Sequence, residues 1–294
     1  MICQIRTYIF YYLNRISNYQ LEKTRFYHRQ GYKLNLKNPQ SFQEKIVWKK
    51  IYDRNPLLPI VADKYQVRFY LQQVLGEENT KSILVPLLYV TEEPKTIPFE
   101  ELPDEFIVKP NHASGLNIII RNGCFNQVEI VNTCLKWLKT PYGLDKLEWA
   151  YKSIKRKIVI EKLLIDEDGK VPKEFKFHMF HGKCKLICVV FDRMAEISKS
   201  YFDEKFNLLP IKTSSCPPGK KIQRPINYLS MMELAEKLSQ PFDYIRVDLY
   251  NMNGEIYFGE LTNYPTSGMG QYDPRSFDYK LGEYWNIEPG YWKK

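Results

Sequence analysis

Apolar residues change their spacing twice along the chain and so divide it into three regions. Residues 1–76 carry apolar side chains at helical intervals, and this region is predicted to be helical. In residues 77–157, short apolar runs bounded by proline precede one helical stretch, which predicts a small α/β unit. Residues 158–294 contain six strand-like runs and one helical run, which is typical of a mostly antiparallel sheet. The whole pattern predicts an α+β fold.

Local signals mark the ends of several elements. Ser41 precedes an apolar run and is followed three residues later by Glu44, the pattern of a capping box at a helix start. Asp63 is predicted to cap the next helix, which Gly76 ends. Near the C-terminus, Asn253-Gly254 is a turn signal between two strands.

The N-terminal segment is predicted to form an amphipathic helix. Met1 to Ser17 is too short and too charged to span a bilayer, and it lacks the features of a signal peptide. We expect its apolar stripe to pack on its own domain, with docking on a membrane or a partner as the alternative. The stripe consists of Ile2, Ile5, Ile9, Tyr12, Leu13 and Ile16, with Arg6 and Arg15 nearby.

Basic residues exceed acidic ones. The 294 residues include 43 Lys and Arg against 34 Asp and Glu, which gives a net charge of +9. Such a surface favours polyanionic partners such as nucleotides, acidic polysaccharide or an anionic membrane face, and a solvated surface without a partner is the alternative. We expect no nucleic-acid partner. The six cysteines form neither a C-x-x-C pair nor a zinc-type cluster, which favours reduced thiols in a cytoplasmic protein.

Residues 244–265 carry candidate ligands for a divalent cation. They are predicted to form a hairpin whose loop is residues 252–254. With that loop, Arg246 faces Glu260, and Asp248 lies diagonal to Glu260 at roughly 7–8 Å on the same face. Magnesium prefers one or two protein carboxylates together with phosphate oxygens, so this pair suits it. A two-residue turn would send Glu260 to the other face, and a simple ion pair between Arg246 and Glu260 is the alternative.

Residues 106–120 form a strand, a loop of small residues and a second strand. Lys109 ends the first strand, and Ser114 and Gly115 lie in the loop. Small residues let backbone N–H groups approach phosphate oxygens, and Lys109 adds a positive charge beside them. The stretch lacks the spacing of a P-loop, so an ordinary connection between strands is the alternative.

The order of these motifs resembles the ATP-grasp superfamily. Over roughly residues 39–284, the chain is similar to the teichuronopeptide-biosynthesis-type ATP-grasp family in the segments ADKYQVR, FIVKPNHASGLNIII, IVIEKLL, EFKFHMFHGK, IRVDLYNMNGEIYFGELT and DYKLGE. The resemblance implies an ATP-grasp fold with a helical N-terminal region (1–76), a small α/β subdomain (77–157) and a C-terminal sheet subdomain (158–294). ATP is implied to bind between the two subdomains, together with Mg²⁺.

The resemblance also implies a nucleotide site. Its candidate residues are Lys64, Lys109, His112, Ser114, Gly115, Glu161, Lys162, Leu163, Leu164 and Lys176. Lys64 and Lys109 are implied to hold the α- and β-phosphates, and residues 161–164 to meet adenine through their backbone. Lys176 is a further candidate for the phosphates, and His112 is a candidate donor because it lies in the Lys109 loop.

Metal binding and catalysis are implied at the hairpin. Asp248 and Glu260 are the implied magnesium ligands. Arg246 is implied to touch the transferred phosphoryl group or the substrate carboxylate, with Lys109 as the second catalytic cation. One departure concerns Asn263, because many ATP-grasp enzymes have Glu-x-Asn here and Asn263 comes one place late. Asn263 is a third metal ligand only if the strand bulges.

The implied activity is that of an ATP- and Mg-dependent carboxylate–amine ligase that forms an amide through an acyl phosphate. The carboxylate is expected to belong to a uronic acid or an amino acid, and the product to a capsular or other surface polysaccharide. The alternative is a glycosyltransferase of polysaccharide biosynthesis, for which Asp166-Glu167-Asp168 is the candidate site, although Gly169 after it favours a turn. We expect a cytoplasmic enzyme, with peripheral contact at the inner membrane face as the alternative.

Overall fold

The computed structural model of the protein describes residues 2–191 and 197–293, with the backbone alone for residues 2–6. Met1 and the side chains of Ile2, Ile5 and Arg6 therefore lie outside the described residues. Within the described ranges, a helical group is followed by two antiparallel sheets of different size.

The helical group consists of consecutive helices without an intervening strand. They are α1 (Ile2–Ile16), α2 (Gln20–Gln30), α3 (Phe42–Tyr52), α4 (Leu57–Ala62), α5 (Val67–Leu75) and α6 (Glu77–Ile83). The helical prediction for this region is confirmed, and α6 continues it past Gly76. Across the described residues, every helix is too short or too polar to cross a membrane.

Side chains fix the start of α3. Ser41 Oγ accepts the N–H of Glu44 at 3.2 Å, and the Glu44 carboxylate accepts the N–H of Ser41 at 3.0 Å, so the predicted capping box is confirmed. The predicted cap at Asp63 is wrong, because α5 begins at Val67. The Asp63 carboxylate accepts the N–H of Tyr65 at 2.8 Å, so it stabilises the turn that separates α4 from α5.

The smaller sheet is antiparallel and has the strand order β1-β4-β2-β3. Its strands are β1 (Leu87–Thr91), β2 (Phe106–Pro110), β3 (Ile118–Ile120) and β4 (Ile158–Lys162), and α7 (Gln127–Lys139) packs on it. Ile130 and Cys134 of α7 meet Phe106, Val108 and Ile160 in one buried cluster. Strand β4 therefore pairs with strands from the region predicted at residues 77–157, although β4 itself lies at the start of the region predicted at residues 158–294.

The larger sheet is also antiparallel, with the order β11-β10-β5-β6-β7-β8, so the predicted mostly antiparallel sheet is confirmed. Its strands are β5 (Glu174–Phe180), β6 (Lys183–Phe191), β7 (Ser198–Phe202), β8 (Leu208–Leu209), β10 (Tyr244–Met252) and β11 (Glu255–Thr262). Outside the two sheets, β9 (Lys212–Thr213) pairs with β12 (Tyr272–Asp273), and the chain also forms the helices α8 (Tyr228–Ser239) and α9 (Ser276–Glu283).

The main hydrophobic core joins the larger sheet to helices that precede it in the sequence and to α8, which lies between β8 and β10. Phe42 and Ile46 of α3, Leu71 of α5, Met231 of α8 and Phe177 of β5 all belong to it and are fully buried. Burying a side chain of this size stabilises the fold by about 1.5–3 kcal/mol. The helical region is thus fixed against the sheet that carries the hairpin β10–β11.

Helix α1 packs on its domain through residues other than the predicted stripe. Tyr11 belongs to a buried cluster with residues of α2 and α3, and Asn14 is fully buried. The described members of the stripe are Ile9, Tyr12, Leu13 and Ile16, which are 51%, 53%, 50% and 83% exposed. The expectation that the stripe packs on its own domain is therefore wrong for these residues, because the opposite side of the helix faces the protein.

Candidate active site

A cavity of about 430 Å³ lies between the two sheets. Strands β2 and β4 of the smaller sheet line one side, β10 and β11 of the larger sheet line the other, and α5 contributes to the wall. The predicted site residues that line it are Lys64, Lys109, Ser114, Gly115, Glu161, Lys162, Leu163, Leu164 and Glu260. Within the described residues, this cavity therefore collects most of the predicted nucleotide site.

The lining combines apolar and charged side chains. The apolar ones are Val67, Leu84, Val85, Ile107, Leu116, Ile119, Leu163, Leu164, Val171, Ile197 and Phe258. The charged ones are Lys64, Arg68, Lys109, Glu161, Lys162, Glu174 and Glu260. A cavity of this kind suits a ligand that carries both a flat apolar ring and anionic groups.

The hairpin β10–β11 has a different register from the predicted one. Met252 pairs with Glu255, so the loop is the two-residue turn Asn253-Gly254 and the prediction of a loop at residues 252–254 is wrong. Both turn residues have positive φ, 54° and 84°, as a type I′ turn requires. This turn is favoured because its twist matches that of the two strands it connects.

A β-bulge brings Glu260 back to the polar face of the hairpin. Asp248 pairs with Glu260 whereas Leu249 pairs with Phe258, so Gly259 has no partner in the ladder. Without the bulge, the two-residue turn would put Glu260 on the face opposite to Asp248. Because they are directly opposite, the two carboxylate residues have Cβ atoms about 4.5–5.5 Å apart, closer than the predicted diagonal arrangement.

Glycine at position 259 is required by the close approach of the neighbouring strand. A Cβ atom there would stand 2.9 Å from the carbonyl oxygen of Asp248 and 3.2 Å from the ring of Tyr250. Any side chain would therefore push β10 and β11 apart at the position where the two carboxylates meet.

Asp248 is fully buried and forms ion pairs with two basic side chains. Its two oxygens accept the Nε and Nη2 of Arg246, each at 2.6 Å, and one of them also lies 2.6 Å from Lys176 Nζ. Lys176 makes a second ion pair with Glu174 at 2.7 Å. Burial lowers the pKa of Arg246, but the Asp248 carboxylate outweighs it and raises that pKa above its ordinary value. These charge-assisted bonds fix the orientation of both cations.

Glu260 is connected to Arg246 through the hydroxyl group of Thr262. Thr262 Oγ1 donates to Glu260 Oε1 at 2.8 Å and accepts from Arg246 Nη2 at 2.9 Å. Burial by itself raises the pKa of Glu260, but the charges of Lys64, Lys176 and Arg246 outweigh it and lower the pKa to about 2. Glu260 is therefore ionised at neutral pH, as a metal ligand must be.

Asn263, the predicted third metal ligand, is directed elsewhere. Its Nδ2 donates to the carbonyl of Leu58 in α4 at 2.8 Å, and the side chain is buried. Successive side chains of a strand point to opposite faces, so Thr262 shares the face of Glu260 and Asn263 does not. Thr262 was not among the predicted site residues, although the alternation from Glu260 could have identified it.

Lys109 is held by an ion-pair bridge at the cavity wall. Its Nζ lies 2.8 Å from Glu161 Oε2, and Arg68 Nη1 lies 3.2 Å from the other oxygen of the same carboxylate. Glu161 thus has a side-chain function besides the backbone contact that the resemblance implied. Arg68 was missed, although it stands at the end of the quoted segment ADKYQVR.

The loop after β2 approaches the cavity from the side of Lys64. The Lys64 ammonium group donates to the carbonyl of Ala113, and its backbone N–H donates to the carbonyl of Asn111 at 3.1 Å. Ser114 and Gly115 are exposed, and Gly115 has a φ of +75° with open space around it. The tip of the loop is therefore accessible to a ligand in the cavity.

His112, the predicted donor to phosphate, is buried and does not belong to the cavity lining. Its Nδ1 lies 3.4 Å from the side-chain oxygen of Asn111. Burial, together with the nearby charges of Arg156 and Lys64, lowers the pKa of His112 to about 4. The imidazole is neutral near pH 7, so it adds no positive charge for a phosphate.

Asp166-Glu167-Asp168 forms a surface turn. One oxygen of Asp166 accepts the backbone N–H of Asp168 at 3.1 Å and that of Lys170 at 2.8 Å. The carboxylate is thus used by the turn itself, as Gly169 indicates in the sequence. This geometry favours a local turn over a metal site for a sugar nucleotide.

The carboxylate pair fits a magnesium ion that phosphate oxygens share. In the part of the chain that the structure describes, no three His, Cys, Asp or Glu side chains form a metal cluster by themselves. Asp248 and Glu260 supply two carboxylates, which is the usual protein contribution when phosphate oxygens and water complete the octahedron. The donors are hard oxygens, and Glu260 is ionised at neutral pH.

The sequence matches the model of a protein family described as TupA-like ATPgrasp over residues 44–286. No curated protein gives a significant match.

Among solved structures, D-alanine–D-alanine ligase from Bacillus anthracis is 15% identical with a TM-score of 0.48, and the match covers 80% of this chain and 74% of that one. The corresponding ligase from Helicobacter pylori is 15% identical with a TM-score of 0.41, covering 76% and 59%. N5-carboxyaminoimidazole ribonucleotide synthetase from Thermus thermophilus is 9% identical with a TM-score of 0.41, covering 72% and 48%.

Proposed function

The chain belongs to the TupA-like ATP-grasp family, and we propose that it is an ATP- and Mg-dependent carboxylate–amine ligase that releases ADP. The predicted family and the predicted α+β ATP-grasp fold are confirmed. The matched residues 44–286 include all the residues that line the cavity and the whole of the β10–β11 hairpin. The proposal rests on one observation, that Lys64 and Lys109 line the same cavity as Glu260, which pairs with Asp248.

The cavity lining supports ATP as the nucleotide. Leu163 and Leu164 follow β4 and belong to the apolar part of the lining, which suits a purine ring. Lys64 and Lys109 supply positive charge for the phosphates, and the exposed loop with Ser114 and Gly115 supplies backbone N–H groups. Lys176 is a candidate for the phosphates through its place beside Asp248, at 2.6 Å.

Asp248 and Glu260 would hold magnesium in this proposal, with Thr262 in place of Asn263 as a further oxygen donor. When bound, the ion neutralises charge on the terminal phosphates and orients them. Both carboxylates lie opposite each other on β10 and β11, and Glu260 has a pKa of about 2, so it needs no deprotonation at neutral pH. Arg246 already contacts both carboxylates, at 2.6 Å and 3.4 Å.

The chemistry proceeds in two steps. An oxygen of the substrate carboxylate attacks the terminal phosphorus of ATP, the bond from that phosphorus to the β–γ bridging oxygen breaks, and ADP leaves. The nitrogen of the amine then attacks the carbon of the acyl phosphate, the carbon–oxygen bond to phosphate breaks, and the amide forms with release of phosphate and a proton. Fixed positive groups at the phosphates stabilise the charge that develops in such a transfer.

Arg246 and Lys109 are the proposed catalytic cations. Arg246 is fixed by its bidentate pair with Asp248, so its guanidinium is preorganised before any substrate binds. Lys109 is fixed by Glu161 on the neighbouring strand, at 2.8 Å. Holding cations in place before the reaction avoids a reorganisation cost in the transition state.

The proposed carboxylate substrate is a uronic acid or an amino acid, and the product an amide in a surface polysaccharide. The family resemblance supports this substrate class, and the net charge of +9 agrees with an acidic sugar. We place the reaction in the cytoplasm, where ATP and precursor sugars are present. The Asp166 turn offers no support for the alternative of a glycosyltransferase.

A product analysis tests the proposal. Purified protein is incubated with ATP, Mg²⁺, a set of uronic and amino acids and a panel of amines, and the nucleotides are separated by chromatography. ADP and phosphate that appear only with both co-substrates are expected. AMP and pyrophosphate would indicate adenylation instead. Thermal stabilisation by uridine-diphosphate sugars with Mn²⁺, and none by ATP with Mg²⁺, would favour a glycosyltransferase.

A further inference from the structure

The outer side of α1 exposes a continuous apolar stripe. It consists of the described members of the predicted stripe, Ile9, Tyr12, Leu13 and Ile16, together with Tyr8, and these five are between 41% and 83% exposed. At about 100° per residue, these five positions fall within an arc of about 140° on the helix. Isolated exposed apolar residues are ordinary on a protein surface, but five large side chains on one helix face form a patch.

The stripe is not needed to attach α1 to the protein. The opposite side of the helix carries Tyr11, which is buried in a cluster with Phe26, and Asn14, which is fully buried. Asn14 Oδ1 accepts the N–H of Glu22 in α2 at 2.9 Å. The helix is therefore anchored through its inner side, and the outer stripe is left for a partner.

Basic residues surround this stripe in the sequence. Residues 1–40 contain seven basic residues and one acidic residue, so they hold six of the nine net positive charges of the chain. The basic residues are Arg6, Arg15, Lys23, Arg25, Arg29, Lys33 and Lys37. The acidic residue, Glu22, is fully buried and lies 2.5 Å from Lys50 Nζ, with Arg25 Nη1 at 3.9 Å from its other oxygen, so its charge is balanced mainly by the buried Lys50.

We propose that α1 and α2 dock the enzyme on an anionic lipid bilayer as a peripheral protein. An apolar face with tyrosines lies in the interface of a bilayer, and Arg and Lys beside it attract anionic headgroups. A second copy of the chain fits this surface less well. In a two-fold symmetric contact the same patch meets itself, so the basic residues of both copies would face each other.

The test uses the full chain and sedimentation with lipid vesicles. The protein is expected to bind vesicles of phosphatidylcholine with phosphatidylglycerol at least about ten times better than vesicles of phosphatidylcholine alone. Raising the salt from about 0.1 M to about 0.5 M is expected to weaken the binding, because it shortens the distance over which charges attract. Equal binding to both vesicle types, or none to either, would overturn the proposal.

A double variant with a matched control separates the stripe from surface hydrophobicity in general. Leu13→Ser with Ile16→Ser is expected to lose at least about nine-tenths of the vesicle binding. Val128→Ser with Leu229→Ser removes two other exposed side chains, 69% and 66% exposed, on α7 and α8, and is expected to bind like the unchanged protein. Circular dichroism and melting temperature establish that both variants are folded.

Two further results would contradict the proposal. One is a Leu13 and Ile16 variant that is folded and binds anionic vesicles as the unchanged protein does. The other is a dimer, detected by light scattering, that the same variant converts to a monomer, because the stripe would then cover a second copy. Neither result depends on the ligase reaction, so the docking proposal and the proposed function fail separately.

Discussion

Asp248 and Glu260 stand directly opposite each other on β10 and β11 because Gly259 is bulged out of the ladder between Glu260 and the turn. The two-residue turn alone would have separated the carboxylates onto opposite faces. The bulge reverses this by adding one residue to β11. The proposed metal site therefore depends on backbone geometry as much as on the two acidic side chains.

The first prediction concerns the carboxylate pair. Glu260→Gln is expected to lower the rate of ADP formation at least about 100-fold, because losing one preorganised charge at a transferring group commonly costs that much. The Mg²⁺ concentration for half-maximal ATP binding is expected to rise in the same variant. Calorimetric titration of ATP at several Mg²⁺ concentrations measures this without a known substrate.

Glu255→Gln at the start of β11 is the control for Glu260. Glu255 is exposed and does not belong to the cavity lining, so its variant is expected to bind Mg-ATP as the unchanged protein does. A Glu260→Gln protein with unchanged turnover and unchanged Mg²⁺ dependence would remove Glu260 from the metal site.

The second prediction concerns the bulge. Gly259→Ala is expected to weaken Mg-ATP binding at least about 10-fold and to destabilise the fold by about 1–3 kcal/mol, because the new Cβ overlaps the backbone of Asp248. The new Cβ would lie 2.9 Å from the carbonyl oxygen of Asp248.

Gly254→Ala in the turn is the control, since its Cβ meets open space but its φ of +84° is strained. That variant is expected to lose about 1 kcal/mol of stability and to keep Mg-ATP binding. Equal ATP affinity in the two variants would show that the bulge does not form the site.

The third prediction concerns Lys109. Lys109→Met is expected to raise the dissociation constant for ATP at least about 10-fold, because it removes a positive charge from the phosphate site and leaves Glu161 facing the cavity with Arg68 alone. Lys95→Met changes an exposed lysine that does not line the cavity and is expected to have no effect. Isothermal titration calorimetry measures the dissociation constant for ATP in both variants. Unchanged affinity in Lys109→Met would mean that the phosphates bind elsewhere.

The fourth prediction concerns a buried ion-pair network that supports the fold. Lys49 is fully buried, with Nζ at 2.6 Å from Asp53 and 2.7 Å from Asp243. Lys49→Met is expected to lower the free energy of unfolding by about 3–5 kcal/mol, because two buried carboxylates lose their counter-charge. Urea unfolding measures the change.

Lys81→Met provides the contrast for Lys49. Lys81 makes an ion pair of similar length with Glu77, 2.7 Å, but both side chains are largely exposed. Its loss is expected to leave the unfolding midpoint almost unchanged. Similar effects of the two substitutions would mean that burial does not determine the strength of these pairs.

The fifth prediction concerns pH. The folded pKa of His112 is about 4, below its ordinary value near 6.5, so the unfolded chain binds the proton more tightly. This group therefore stabilises the fold less as the pH falls from about 6.5 towards 4. Between pH 7 and pH 5 the loss is about 1–2 kcal/mol.

A variant isolates this contribution. His112→Gln lacks the titrating group, so its difference in stability from the unchanged protein is expected to shrink by about 1–2 kcal/mol when the pH is lowered from 7 to 5. Urea unfolding of both proteins at the two pH values provides the comparison. A difference that stays constant would mean that His112 titrates alike in the folded and unfolded chain.

The sequence by itself determined the family, the α+β class and the local signals. The capping box at Ser41 involves residues within a few positions of each other, so its pattern predicts it directly. The Asn253-Gly254 signal likewise located the hairpin turn, although the length of the loop was predicted wrongly. The strand that ends near Lys109 was also predicted, because a short apolar run bounded by Pro110 precedes a loop of small residues.

The tertiary structure alone decided how distant residues combine. Glycine in a strand fits an ordinary position, a bulge or a close approach, and only the pairing of β10 with β11 shows that Gly259 is bulged. Arg68 of α5 and Glu161 of β4 are 93 positions apart, and only the folded chain brings their side chains within 3.2 Å. The outward stripe of α1 was likewise undetermined, because periodicity identifies an apolar face of a helix but not the side that packs against the protein.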